Sequence, residues 1–220
     1  MTRSSSLLER CAAALALAAD HPLLRAMSDG TVPPAVFARY LVLEEGFVDT
    51  AARLVEVVAV AETDAAAARR LAETRADLEG AQRAHLAAAR AGTASVLGAP
   101  PAAHDVLSRH TLALADAHGA PAVTVCLAAA ETLYARWCAA AAARDAIRPA
   151  ALQGWIDLHA TARFAEQAAF WRSLVDRIPE DEVGDAELDA WFAGMLAAEN
   201  AFHAAAEADD ASGTDEEDAA

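Results

Sequence analysis

The chain contains no lysine. All 17 of its basic residues are arginine, and 33 acids outnumber them, for a formal net charge of −16. A surface of that sign repels phosphate, because binding to nucleic acid or an anionic bilayer depends on clustered positive charge. Neither nucleic acid nor membrane is expected as a partner. The acid excess also points to a halophilic protein. A GC-rich genome, which favours arginine and alanine over lysine, accounts for the missing lysine and accounts less well for the acids. Cysteine is scarce: Cys11, Cys126 and Cys138 are odd in number and widely spaced. With no CxxC or Cys/His pattern, no disulfide framework or zinc site is expected. Reduced thiols in a cytoplasmic setting are the default. Tyrosine is scarcer still, with Tyr40 and Tyr134 alone. The alternating β-branched and aromatic runs of strands are nearly absent. No segment reaches the roughly 18 uninterrupted apolar residues of a membrane span. The opening "MTRSSSLLERCAAALALAADH" imitates a signal peptide, but Glu9 and Arg10 interrupt it, and Leu7, Leu8, Cys11, Leu15 and Leu17 suit a helix.

What is present is helix-forming. Ala, Leu, Arg and Glu dominate, and 55% of the 220 residues are hydrophobic, enough for the core of one fairly large domain. The pattern predicts an all-α, single-domain bundle of about eight or nine helices over residues 1–208, then an acidic disordered tail over 209–220. A first helix is expected from about Ser5 to Ala19, capped within Ser4 to Ser6. A short one starts at Pro22 and is stopped by Gly30. A long one runs from Pro34, a favourable first-turn position, to about Ala61. Asp64 opens the next, ending near Gly92. "GTASVLGAPPAAHD" reads as a loop, and a helix from Pro101 to about Ala117 follows it. "HGAPAV" turns into the alanine-rich helix around residues 126–143. "IRPAAL" starts a helix carrying Trp155 and His159, "TARFAEQAAFWRSLVDRIP" forms another, and the last begins at Asp185.

Three sites stand out because acids interrupt apolar helices. In "CLAAAETLYARWCAAAAA", Glu131, Tyr134 and Trp137 follow one another at single-turn spacing, so carboxylate, phenol and indole lie in one line. Burying that carboxylate costs several kcal/mol unless it is hydrogen-bonded or protonated. A pocket explains the line; a polar network in a crowded core is the plainer alternative. In "YLVLEEGFVDTAARL", Tyr40, Glu44 and Phe47 share one face, and Glu45 shares another with Leu41 and Val48. One exposed acid and one acid paired with arginine would also satisfy that stretch. In "AAENAFHAAA", Glu199, Phe202 and His203 fall at i, i+3 and i+4, on one face that lines a pocket or meets solvent.

At these segments the sequence resembles the TenA/thiaminase II family, which has a haem-oxygenase-like fold. The similarity runs from about residue 5 to 207 and rests on the order and spacing of several motifs. "HPLLRAMSDGTVPPAVFARYLVLEEGF" is similar to the family's opening, with Glu45 in the place of an acid that contacts an aminopyrimidine. "GWIDLHATARF" is similar to its Trp-Ile motif, with His159 where a tyrosine is usual. "LAAENAFHAAA" resembles the closing motif, with Glu199 as acid/base carboxylate and Phe202 as a ring that stacks on the pyrimidine. "ETLYARW" resembles the branch that lacks a cysteine nucleophile; Cys126, eight residues before Tyr134, does not match the other branch. Departures fall within the pocket motifs: Glu45 for Asp, Val48 for a frequent tyrosine, and His203 for the tryptophan after Phe202.

The resemblance implies a cytoplasmic TenA-like hydrolase of thiamin salvage, acting on aminopyrimidine thiamin-breakdown compounds by C–N or formamide hydrolysis. Glu199, Glu131 and Tyr134 would be catalytic. Glu45, Phe47, Phe202, His159 and Glu44 would bind the substrate. Carboxylates in an apolar pocket have raised pKa values, which suits them to proton transfer near neutral pH. No metal and no cofactor is implied; the partners are a small-molecule pyrimidine and further copies of the chain, as a homodimer or homotetramer. Two alternatives keep the fold: a non-catalytic small-molecule-binding or regulatory protein, and a di-iron oxygenase using Glu199 with His203.

Overall fold

A computed structural model describes residues 1–93 and 105–208. The expected loop and the start of the following helix, near Pro101, fall largely outside these residues, as does the acidic tail. The described residues are helical throughout and contain no strand: α1 (Arg3–Arg10), α2 (Ala12–Ala19), α3 (Pro22–Asp29), α4 (Pro34–Ala61), α5 (Ala65–Asp77), a π-helical turn (Leu78–Gln82), α6 (Arg83–Thr93), α7 (Val106–Ala142), α8 (Ala150–His159), α9 (Ala162–Val175) and α10 (Asp185–Glu207).

Local chemistry sets most boundaries. The first expected helix is two, because the chain breaks at Cys11; its cap is Thr2, whose side chain accepts from the Ser5 N–H. His21 caps α3 through its ring, and Pro22 follows at a position where the missing N–H costs nothing. Gly30 ends α3 in the left-handed region at φ 72°, and a Cβ there would lie 2.2 Å from the Ile147 carbonyl oxygen. Turn geometry and close approach thus both require glycine. Asp64 caps α5 by accepting from the Ala66 and Ala67 N–H groups at 3.0 and 2.8 Å. The helix expected from Asp64 onward is interrupted by the π-helical turn, a feature frequent at functional sites. The "HGAPAV" turn survives as a kink: Gly119 has φ 66° and ψ −151°, Pro121 follows, and α7 bends there without ending.

The second half of α7 is the axis of the bundle. It packs on α10, α9 and α4, and residues 122–130 are all buried. By length and composition alone α7 is apolar enough to cross a membrane; its apolar character is spent on these neighbours. Trp137 does not reach the cavity described below. Its indole N–H donates to the Leu24 carbonyl at 3.1 Å and the Ser28 hydroxyl at 2.8 Å, fastening α3 to α7. The line of carboxylate, phenol and indole therefore divides, with Glu131 and Tyr134 serving a cavity and Trp137 serving the fold.

Candidate functional site

Five helices supply most of the wall of a buried chamber. From α4 come Glu44, Phe47 and Val48; from α7 Leu127, Glu131 and Tyr134; from α8 Trp155 and His159; from α9 Phe164 and Trp171; and from α10 Glu199. The π-helical turn contributes Leu78 and Gln82. Space for the centres of water-sized spheres amounts to about 70 Å³ in this chamber and about 270 Å³ in a second, larger one. The two share Thr74, Leu78, Gln82, Glu131, His159 and Phe164 along their walls. The outer chamber adds Arg70, Asp77, Arg163 and Gln167, so polarity and charge increase toward the mouth.

Three carboxylates and two phenols form the inner floor. Tyr40 donates to Glu44 Oε1 at 2.5 Å, Tyr134 donates to the same oxygen, and the two phenol oxygens lie 3.1 Å apart. Glu44 is 4% exposed; burial lifts its pKa to about 7, against the pull of both phenol hydrogen bonds. Glu131 has no such support. Its Oε2 is buried without a hydrogen-bond partner, and burial pushes its pKa to about 8. Glu199 is 1% exposed, its Oε2 is likewise unpartnered, and burial first, then the charge of Glu44, holds its pKa well above the carboxylate range. Among the described residues no arginine lines the inner chamber. At neutral pH these acids retain protons or share them, because unpaired charges in so little water are costly.

The rings complete the chamber. His159 Nδ1 lies 2.8 Å from the Trp155 carbonyl oxygen, so Nδ1 carries the hydrogen and Nε2 keeps its lone pair. Burial lowers the pKa of His159 to about 4 and keeps the ring neutral. The Trp155 and Trp171 indole nitrogens are buried and unpartnered, adding two donors to a wall of unused acceptors. A ligand that fits must therefore bring donors for the carboxylates, acceptors for the indoles and a flat apolar body for Phe47, Phe164 and the indole faces.

The expected residues separate. Glu131, Tyr134, Glu199, Glu44, Phe47 and His159 all line the inner chamber. Glu45 does not: it points out of the bundle into an ion pair with Arg90, its side chain 33% exposed. The helix rotates about 100° per residue, so placing Glu44 inward turns Glu45 away. The acid available to a ring from α4 is Glu44. Phe202 is also absent from the lining; it is buried beneath the floor, edge-on to Tyr40 at 5.9 Å between ring centroids. It props the phenol that holds Glu44. Trp155, Phe164 and Trp171 also line the chamber, beyond the residues the resemblance implies, although Trp155 and Phe164 lie in the Trp-Ile motif. Trp171, one of many large residues on amphipathic helices, carries no local signal. Cys126 is fully buried and burial pushes its thiol to about 12, far from a nucleophile's range.

No protein-family profile and no curated protein matches the sequence. Solved structures do match the fold. A TenA homologue from P. horikoshii OT3 superposes with a TM-score of 0.79 at 15% identity, covering 94% of this chain and 98% of that one. A TenA homologue from Pyrococcus furiosus gives 0.79 at 17% identity, with 93% and 99% covered. A protein from Silicibacter sp. TM1040 described as a TenA family transcription regulator gives 0.80 at 15% identity, with 93% and 96% covered. The chain thus has the all-helical fold of TenA homologues over almost its whole length.

Proposed function

We propose that the protein is a TenA-like hydrolase of the cysteine-lacking type, acting on aminopyrimidine thiamin-breakdown compounds in thiamin salvage. The observation that carries the reading is the convergence of Glu44, Glu131 and Glu199 on one enclosed chamber, two of them with unused oxygens and, among the described residues, none with an arginine in the lining beside it. An aminopyrimidine supplies what the wall lacks: exocyclic N–H donors for carboxylates, ring nitrogens for indole donors, and a flat face for the aromatics. Hydrolysis of its C–N or formamide bond needs a proton for the leaving nitrogen and a base for water. Glu199 and Glu131 would divide these tasks, one protonated as the acid and the other ionised as the base, and burial raises both carboxyls toward the range where each form is accessible. Glu44, held by two phenols, would orient the ring, and Tyr134 would sense the charge on Glu44. With Cys126 inert, direct attack by water is the simpler scheme.

A homodimer or homotetramer, implied by the same resemblance, is part of the proposal, as are a cytoplasmic location and, from the acid excess, salt adaptation. The di-iron alternative finds no donor set: among the described residues no group of three or more His, Cys, Asp or Glu is arranged to hold a metal ion. A non-catalytic binder would use the same chamber without turnover.

The test is hydrolysis of aminomethyl- and formylaminomethyl-pyrimidine by the purified protein at high salt, beside Glu199→Gln and Glu131→Gln. Product release by the wild type that both variants lose supports the reading. Binding of the pyrimidine without turnover turns it into a binder, and absence of both rejects it.

A further inference from the structure

Among the described residues, His203 is the most enclosed titratable ring that the proposed chemistry leaves unused. It is 0% exposed, and neither ring nitrogen has a hydrogen-bond partner. A buried imidazole with no partner is costly, because a desolvated N–H and a desolvated lone pair each forgo water. Apolar packing alone does not ask for it, since a phenyl ring would fill the same space without that penalty.

Its surroundings give the two idle nitrogens something to do. Nε2 lies 3.9 Å from Glu199 Oε2, itself unpartnered. That is contact distance rather than a hydrogen bond, and a small side-chain shift or one bridging water closes it. The ring also meets His21, at 5.2 Å between centroids. His21 sits at the N-terminus of α3, half-buried, where Nδ1 accepts from the Leu23 N–H at 3.2 Å. In the neutral ring that bond takes the Nδ1 lone pair, so Nε2 carries the hydrogen and is the nitrogen that donates once the ring is protonated. The other titratable groups facing His203 are Tyr40 and Tyr134, at 6.3 and 6.5 Å between ring centroids. His21 in turn feels Arg25 and Glu207.

We infer that His21 and His203 form a proton relay joining the protein surface to Glu199 from behind the chamber. Water protonates His21 at Nδ1 in place of the Leu23 bond; the His21 imidazolium then gives its Nε2 proton to the free nitrogen of His203, which becomes the imidazolium in passing while His21 returns to its neutral, capping form. The proton on Nε2 of His203 then moves to the Glu199 carboxylate, and that ring is neutral again with its hydrogen on the opposite nitrogen. The reverse sequence returns it. Such a path serves a chamber whose mouth is blocked by ligand, where bulk water no longer reaches the acid. Burial and the neighbouring His21 hold the pKa of His203 at about 3, so the imidazolium is a conduit and not a resting state. His203 and His21 are positioning residues here; the role assigned to Glu199 rests on the function proposed above.

The relay is testable without any substrate. In the full chain labelled with ¹⁵N-histidine, the ring N–H of His203 should exchange with solvent fast for a group with no exposure. His21→Asn and His21→Ser, both good helix caps that preserve the bond to Leu23, should slow that exchange at least tenfold. Slow exchange in the wild type, or an unchanged rate in a folded His21 variant, overturns the relay and leaves His203 as packing. Once turnover is measured, His203→Phe should lower kcat tenfold or more with KM unchanged, since the phenyl ring keeps the contacts with Tyr40 and Phe202. An unchanged kcat overturns the role in turnover. A chain inactive on pyrimidines defeats the proposed function and leaves the exchange result standing.

Discussion

The outer surface of the bundle and the wall of the chamber are both rich in carboxylates, yet they treat them oppositely. On the outside, acids meet arginines: Glu56 and Glu79 share Arg75, Asp49 meets Arg83, Glu45 meets Arg90, Asp77 meets Arg163 and Glu62 meets Arg177. Inside, Glu44 has two phenols, and Glu131 and Glu199 each keep an oxygen with no partner. The chain had arginines to spare on α5 and α9, and none reaches the inner chamber. The outer pairs contribute little each, because water screens them. The inner acids are costly to bury, and that cost is retained where a ligand can relieve it.

The comparison breaks most visibly in activity. Glu199→Gln and Glu131→Gln should each lower pyrimidine turnover by about 10²–10⁴-fold, the usual worth of a general acid or base. Glu45→Gln, one residue from Glu44 in sequence, should leave kcat and KM within a factor of about three, since its carboxyl is paired with Arg90 outside the chamber. Steady-state kinetics on the three variants decides it; comparable losses in all three would dissolve the distinction between inside and outside.

Stability against pH comes next. Glu131 has a carboxyl raised from 4.5 to about 8 by burial, so the folded chain holds a proton that the unfolded chain releases. The stability from this group is fully present below about pH 4.5 and is lost as pH rises through about 8, up to about 5 kcal/mol. Glu131→Gln should therefore flatten the decline in melting temperature between those values. His159 and His203, lowered by burial to about 4 and about 3, act in the opposite sense, raising stability as pH climbs toward 6.5. A Glu131→Gln profile parallel to the wild type would show that this carboxyl ionises freely in the fold.

Tyr134→Phe should cost about 1–2 kcal/mol in chemical denaturation, because a buried carboxylate loses one of two phenol donors. It should also raise the Glu44 pKa above about 7, since that donor pulls it down. A Glu44 titration unmoved by the change would show that Tyr40 alone supports it. The smallest effect belongs to the outside: Arg90→Gln should alter stability by no more than about 1 kcal/mol and lose even that in molar salt.

Some of this was legible before any coordinates. Capping residues and prolines gave α3, α4, α5 and α10 their starts, because a cap or a fixed φ acts over three or four residues. Glu131 with Tyr134, and Glu199 on α10, stood out as acids in apolar surroundings. Sequence spacing read less well where one position decides everything. Glu44 and Glu45 occupy adjacent places on one helix, and motif alignment favoured Glu45; the rotation of α4 against α7 turns Glu44 inward. Phe202 shares a helical face with Glu199, but that face is wide enough for one residue to reach the chamber and the other to lie under its floor. Trp171 gave no local sign, and the His-Pro start of α3 marked His21 only as a cap, since its contact with His203 joins residues far apart in sequence.

The sequence by itself determined an all-helical chain, the places where most helices begin, an acidic exterior, and the few carboxylates set in apolar runs. These follow from propensity, capping and periodicity, which act within a turn or two. Only the tertiary structure decided which acids share a chamber, that Trp137 fastens α3 to α7, and that His203 stands between Glu199 and His21. Those relations depend on how α4, α7, α8, α9 and α10 rotate and pack against one another. Packing of that kind is settled by the volume and burial of the whole core, which no single stretch of sequence contains.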